Sequence, residues 1–386
     1  MEFIDLQSQQ QRIREKIEAN INAVLKHGQY IMGPEVRDLE SKLAAYVGAK
    51  YAIGCASGTD ALLMALMAYN VGPGAAIFTS PFTFIATAEV ICLLGATPIF
   101  VDIDSKTFNI DPLQLDQAIQ AVLKNDNRLY PLPQGLNVSS LRPKGVIPVD
   151  LFGLPADYDS IQAVTRKFGL WIVEDAAQSF GAEYHRRRAC SFGNIACTSF
   201  FPAKPLGCYG DGGMCFTSED AAAERMDSIR VHGKGKDKYD NVRIGINGRL
   251  DTLQAAILIA KFAIFPEEID LRQKVAARYT SAITAPSPVI PPHVPGGYKS
   301  AWAQYSLLAR DEKHRSSAQA KLKNASIPSA IYYPKPLHLQ TAFAYLGYKE
   351  GDFPISEDYA SRIFSIPMHP YLKVEEQEKI AQLLQT

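Results

Sequence analysis

From residue 51 onward, short apolar runs alternate with amphipathic helical stretches, and this alternation constrains the fold more than any other feature of the sequence. The runs at 51–55, 76–79, 98–101, 145–149, 170–174, 196–200 and 214–217 have the length and continuity of strands buried on both faces. Helical patterns at 59–69, 84–94, 113–124 and 158–168 fill most of the gaps. Strands linked through helices favour a mainly parallel sheet with both faces covered, so the expected class is α/β. Two helices precede the alternation. Ile13, Ile17, Ile21, Val24 and Leu25 share one helical face, and Gly28 and Gly33 break it. Pro34 then stands at a first helical position, Val36, Leu39 and Leu43 repeat along a face, and Gly48 is placed for a left-handed cap.

Downstream, a helical pattern runs from Leu250 past Pro266 to about Tyr279, and the proline should kink or restart it. Strands and helices resume from Ser300, so a smaller α+β C-terminal domain is expected, with the chain dividing into residues 1–245 and 246–386. Residues 125–143 show neither period and hold three prolines, which predicts a long surface loop, mobile or in contact with another subunit.

Charge excludes one large class. The chain balances 40 Lys+Arg against 40 Asp+Glu, whereas a protein that wraps nucleic acid needs a basic excess. No apolar run reaches the length of a membrane span and no basic leader opens the chain, so a cytoplasmic protein is expected. The six cysteines form no C-x-x-C pair and the seven histidines no HExxH, so no metal is expected. A neutral chain favours an occupied surface and hence an oligomer.

The chemistry concentrates at three places. Ser199-Phe200-Phe201-Pro202-Ala203-Lys204-Pro205-Leu206-Gly207 sets a lysine in a proline- and glycine-punctuated turn directly after an apolar run. Val173-Glu174-Asp175-Ala176-Ala177-Gln178 ends another run in a carboxylate, where ligands of open α/β sheets sit. Ser57-Gly58-Thr59-Asp60 follows a third run and opens a helix, whose free N–H groups suit a phosphate. A phosphate cradle, an acid at a strand end and a lysine in a turn are what pyridoxal 5'-phosphate (PLP) requires. The lysine makes a Schiff base, and the acid keeps the pyridine nitrogen protonated. Other motifs are weaker. The glycines of 207–213 precede a strand, which a dinucleotide fingerprint does not, and His232-Gly233-Lys234-Gly235-Lys236 lacks a P-loop spacer. His185-Arg186-Arg187-Arg188 reads as a hairpin tip whose arginine forks could grip a phosphate, and His338 as a pocket or structural residue.

With those motifs in place, the chain resembles the DegT/StrS-type nucleotide-sugar aminotransferases, a branch of the fold-type I (aspartate aminotransferase-like) PLP-dependent transferases. The likeness runs from Phe3-Ile4-Asp5-Leu6 to Pro367-Met368-His369-Pro370. It is greatest with members that aminate C3 of UDP-2-acetamido-2-deoxy-3-oxo-glucuronate. The resemblance implies that Lys204 carries PLP and shuttles protons, that Asp175 holds the pyridinium, and that Gln178 touches the ring's phenolic oxygen. It implies phosphate contacts from Gly58, Thr59 and Ser199, stacking by Phe84, and a further phosphate contact from Asn247 of a partner in a homodimer. Tyr30, Arg249 and Tyr333 would face the sugar or the amino donor. L-Glutamate would supply the amine and leave as 2-oxoglutarate, in the biosynthesis of a surface polysaccharide such as O-antigen.

Two positions depart from the family pattern. Ala203 stands where relatives often have serine, and Tyr332 precedes Tyr333-Pro334 where close relatives have histidine. Both bear on the sugar rather than the reaction, so a UDP- or dTDP-linked 4-keto-6-deoxyhexose remains an alternative substrate. Sugar dehydratases of the family replace the lysine with histidine, which Lys204 argues against, and the full residue set argues against a non-catalytic sensor or assembly protein.

Overall fold

The computed structural model describes residues 1–237, 239–283 and 287–385. Helix α1 (Leu6–His27) starts where the Asp5 side chain accepts from Ser8 N and stops at Gly28, with φ 71°. Helix α2 (Pro34–Val47) begins on its proline and stops at Gly48, with φ 80°. Both stops use the left-handed backbone that glycine adopts freely.

The alternating region follows as β1 (Tyr51–Cys55), α3 (Gly58–Ala68), β2 (Ala75–Thr79), α4 (Ala86–Leu93), β3 (Thr97–Phe100) and α5 (Pro112–Lys124). It continues with β4 (Arg142–Ile147), α6 (Tyr158–Phe168), β5 (Trp171–Asp175), the short β6 (Glu183–Tyr184) and β7 (Arg187–Arg188), β8 (Ile195–Ser199), β9 (Gly213–Thr217) and α7 (Asp220–Ile229). Every expected strand forms. They make one seven-stranded sheet in the order β1-β9-β8-β5-β4-β2-β3. Strand β9 is antiparallel to both neighbours and the other pairs are parallel, so the sheet is mainly parallel as expected. Side chains alternate between two apolar layers: along β2, Ala76 and Phe78 join the layer with α2, α5 and α6, while Ala75 and Ile77 join the layer with α3 and α7.

The long helical pattern breaks at the proline, giving α8 (Thr252–Phe262) and α9 (Phe265–Ala282), with Pro266 in the first turn of α9. Then come β10 (Val289–Ile290), β11 (Tyr298–Lys299), β12 (Tyr305–Ala309), α10 (Glu312–Asn324), α11 (Pro354–Arg362), β13 (Ile363–Ile366) and α12 (Val374–Gln385). Strands β10-β12-β13 form an antiparallel sheet whose Tyr305, Leu307, Phe364 and Ile366 pack with residues of α9, α10 and α12. Helix α8 packs on α1 and α2, and β11 pairs with β6.

The segment 125–143 is irregular up to β4, as expected, but it is packed down rather than loose. Tyr130, Leu132, Val138 and Leu141 are buried in the core, the Tyr130 hydroxyl accepts from Asp102 N at 2.8 Å, and Gly135 N donates to Leu346 O at 2.9 Å. Burial of these four apolar side chains anchors the loop to the core. Among the described residues, no helix is long and apolar enough to cross a membrane.

Candidate active site

The parallel strands deliver their chemistry to one sheet edge. At the end of β1, Ser57 caps α3, its hydroxyl accepting from Asp60 N at 3.0 Å. The first N–H groups of a helix have no acceptor within it, so those of Gly58 and Thr59 face outward with the positive end of the helix dipole. Gly213 opens β9 between Cys55 of β1 and Ser199 of β8. A Cβ on Gly213 would lie 2.3 Å from Ser57 O, and one on Gly58 would lie 2.7 Å from Ser199 Cβ. Glycine at both positions lets the Ser199 hydroxyl stand beside the helix start, which makes an anion cradle of Gly58, Thr59 and Ser199.

Asp175 ends β5, is 4% exposed, and receives two hydrogen bonds, from Thr87 Oγ1 at 2.8 Å and Ala177 N at 3.2 Å. Burial pushes its pKa up, opposed by these donors and by the charge of Lys204. Lys204 sits in a turn closed by Lys204 N to Phe201 O at 2.8 Å, and a Cβ on Gly207 would lie 2.5 Å from Pro202 O. Phe200 N to Gly212 O and Cys208 N to Phe200 O, at 2.7 and 2.8 Å, pin that turn to the sheet. Burial lowers the lysine pKa, and attraction to Asp175 opposes the shift. An amine that releases its proton more readily can act as a nucleophile and a proton carrier.

Gln178 follows one turn after Asp175. Its Oε1 accepts from Phe152 N at 2.6 Å and its Nε2 donates to the Tyr333 hydroxyl at 3.3 Å. Tyr333 packs near Phe84, ring centroids 6.3 Å apart, and Phe84 is 55% exposed, so one ring face is free. The structure thus brings Asp175, Lys204, Gln178, Tyr333 and Phe84 together, beside the Gly58–Ser199 cradle. Tyr30, Asn247 and Arg249 lie elsewhere in this chain. Asn247 and Arg249 line an open cleft of ≈ 410 Å³ with Ile31, Ala56, Gly210 and Asp211. Tyr30 is half exposed beside it and its carbonyl accepts from Thr252 N at 3.0 Å. The cleft adjoins the cradle through Ala56 N, which donates to Gly248 O at 3.1 Å.

Two open readings are narrowed, since 185–188 is the expected hairpin tip. His338 is buried against Glu357, its Nε2 2.9 Å from the carboxylate, so it is structural. Arg188 donates to Tyr46 O at 2.6 Å and lies 3.9 Å above the Tyr46 ring, near the end of α2 and opposite the site edge. Arg187 donates to Ser191 O. Three residues escaped the sequence reading. Thr87 and Thr83 stand behind Asp175, and Asp150, buried and bonded by Ser179 and Tyr158 hydroxyls at 2.6 and 2.8 Å, donates its N–H to Asp175 O at 3.0 Å. A threonine in an apolar helical stretch carries no signal of what it faces.

These residues fit PLP: a buried acid for the pyridine nitrogen, a facing lysine, an open aromatic face, and an anion cradle in which two glycines leave room. Among the described residues, no group of His, Cys, Asp and Glu could hold a metal ion. A lysine facing a buried carboxylate beyond the strand ends of such a sheet defines the fold-type I class of PLP-dependent transferases. The chain belongs to the DegT/DnrJ/EryC1/StrS aminotransferase family, whose model matches residues 11–385. It is 48% identical, over 96% of both chains, to the UDP-2-acetamido-2-deoxy-3-oxo-D-glucuronate aminotransferase of Pseudomonas aeruginosa. A DegT/DnrJ/EryC1/StrS aminotransferase structure from Brucella abortus superposes with TM-score 0.93 at 48% identity, covering 100% of this chain and 98% of that one. DesV of S. venezuelae, solved in complex with a ketimine intermediate, gives TM-score 0.90 at 32% identity, covering 100% and 97%.

Proposed function

We propose that this protein is a PLP-dependent aminotransferase that moves an amino group from L-glutamate to C3 of UDP-2-acetamido-2-deoxy-3-oxo-glucuronate. The observation that carries the reading is the Lys204–Asp175 pair beside the Gly58–Ser199 cradle, and the P. aeruginosa relative's named activity supports the sugar. When bound, PLP would supply an electron sink for chemistry at the donor's α-carbon. The α3 N-terminus and the Ser199 hydroxyl would bind its phosphate, Asp175 would meet its pyridine nitrogen, and Phe84 would cover one face. Lys204 would hold the cofactor and, once released, move a proton between the substrate's α-carbon and the cofactor, its pKa lowered by burial for that task. Gln178, its amide fixed by Phe152 N and Tyr333, contacts the ring's oxygen. Tyr30, Arg249 and Tyr333 bind the substrates, and Asn247 acts across a homodimer. In this reading residues 1–245 hold the cofactor, residues 246–386 form the smaller domain, and the enzyme serves surface polysaccharide synthesis in the cytoplasm.

The test is glutamate-dependent release of 2-oxoglutarate with a panel of nucleotide keto sugars. Turnover is expected with the UDP-linked 3-oxo-uronate. Inactivity on it alongside turnover of a UDP- or dTDP-4-keto-6-deoxyhexose would overturn the substrate.

A further inference from the structure

A carboxylate buried as deeply as Asp175 tends to take up a proton, because desolvation penalises its charge. To meet a pyridinium as an anion it must stay ionised and hold one orientation. Among the described residues, one side chain donates to it: Thr87, from the first turn of α4, at 2.8 Å. Thr87 is 1% exposed, so its hydroxyl is shielded from bulk solvent. Behind it, buried Thr83 stands four residues earlier, ahead of α4, the two hydroxyl oxygens 3.2 Å apart.

The direction of this chain follows from its end. An ionised carboxylate only accepts, so the Thr87 proton points to Asp175 Oδ2, and the Thr87 oxygen is left to accept from Thr83. Successive hydroxyls aligned in this way polarise one another in a low-dielectric interior. The other oxygen, Oδ1, accepts from Ala177 N, so the carboxylate plane is fixed from two sides. Among the described residues, the titratable groups that interact electrostatically with Asp175 are Lys204, Tyr333, Tyr158, Cys190 and Cys197. Burial raises the tyrosines and cysteines, which stay neutral, so Lys204 is the one facing cation among them.

We propose that Thr87, backed by Thr83, is a positioning residue that keeps the Asp175 carboxylate ionised and in one orientation for the cofactor's pyridine nitrogen. The inference rests on the PLP reading above, and its test separates the two. In the protein without cofactor, the Asp175 carboxyl is titrated by 13C NMR with labelled aspartate, assigned by Asp175→Asn. Affinity for PLP is then measured by equilibrium dialysis.

Thr87→Val, which keeps the shape and removes the hydroxyl, is expected to raise the proton affinity of Asp175 about tenfold and to weaken PLP binding about tenfold. Thr87→Ser is expected to restore both, and Thr83→Val to move both in the same direction by about threefold. An unchanged Asp175 titration in Thr87→Val would overturn the proposal, as would a Ser variant as perturbed as the Val one. Should Thr87→Val fail to fold, Thr83→Val and Thr87→Ser decide the matter by the same titration. If the unsubstituted protein fails to bind PLP, the functional reading falls while the titration still decides the relay.

Discussion

Replacing Gly58 with alanine isolates the cradle from the rest of the site. The glycine opens α3, and an added Cβ would lie 2.7 Å from Ser199 Cβ, 3.2 Å from its Oγ and 3.3 Å from its Cα. Carbon atoms prefer roughly 3.5–4.0 Å, so the two chain segments must separate by about 1 Å. The nearest of the three, Ser199 Cβ, is fixed to the backbone: Ser199 is the last residue of β8 and is paired with Gly213. Forcing a methyl into such a place costs about 1–3 kcal/mol of stability. The same displacement carries the Ser199 hydroxyl out of hydrogen-bonding reach of a phosphate bound at the helix start. A hydrogen bond to a charged group contributes about 1.5–3 kcal/mol, so PLP affinity should fall by roughly 10- to 100-fold. Equilibrium dialysis gives the affinity, and urea unfolding of the cofactor-free protein gives the stability. A Gly58→Ala protein that binds PLP as tightly as the unsubstituted one would refute the cradle, whatever its stability.

Two further outcomes concern stability rather than the site. His369 is 3% exposed, neither ring nitrogen makes a well-formed hydrogen bond among the described residues, and burial, aided by the charge of Arg272, lowers its pKa to about 4. Below about pH 6.5 the unfolded chain takes up a proton that the folded one refuses, so stability should fall by roughly 3 kcal/mol as pH drops to 4. His369→Phe should flatten that stretch of the urea-unfolding profile, and an unchanged slope would count against the assignment. Lys261 is 1% exposed, its amine lies 4.8 Å over the Tyr209 ring, and burial lowers its pKa to about 8. The unfolded chain holds its proton more tightly up to about pH 10, so Lys261→Met should stabilise the protein by about 1–3 kcal/mol at pH 7. That gain should fade as pH rises from 8 to 10, and thermal melts across this range check it.

The fold and the three ends of the site were legible because each rests on a local rule. Asp175 closes an apolar run, Ser57-Gly58-Thr59-Asp60 has the composition of a helix start, and proline and glycine bracket Lys204. What escaped depends on contacts between distant segments. Tyr130 sits among prolines and polar residues, and nothing nearby in sequence says that its hydroxyl will meet Asp102 N. Phe152 takes φ 59°, a backbone region bulky residues avoid, held by its N–H to Gln178 and by the packing of Gly153 against Trp302 N. Thr87 reads as one more residue of an apolar helix until α4 is laid beside the end of β5. The arginines of the β6–β7 turn have the right chemistry for phosphate, but Tyr46 holds Arg188 at the opposite edge.

The account turns on Lys204 being the residue that holds PLP. Reducing the PLP-loaded protein with borohydride fixes the cofactor to its lysine, and mass mapping of the digest locates it. A single pyridoxyl group on Lys204 is the predicted result, lost in Lys204→Ala. A group on another lysine, or none at all, would contradict the account.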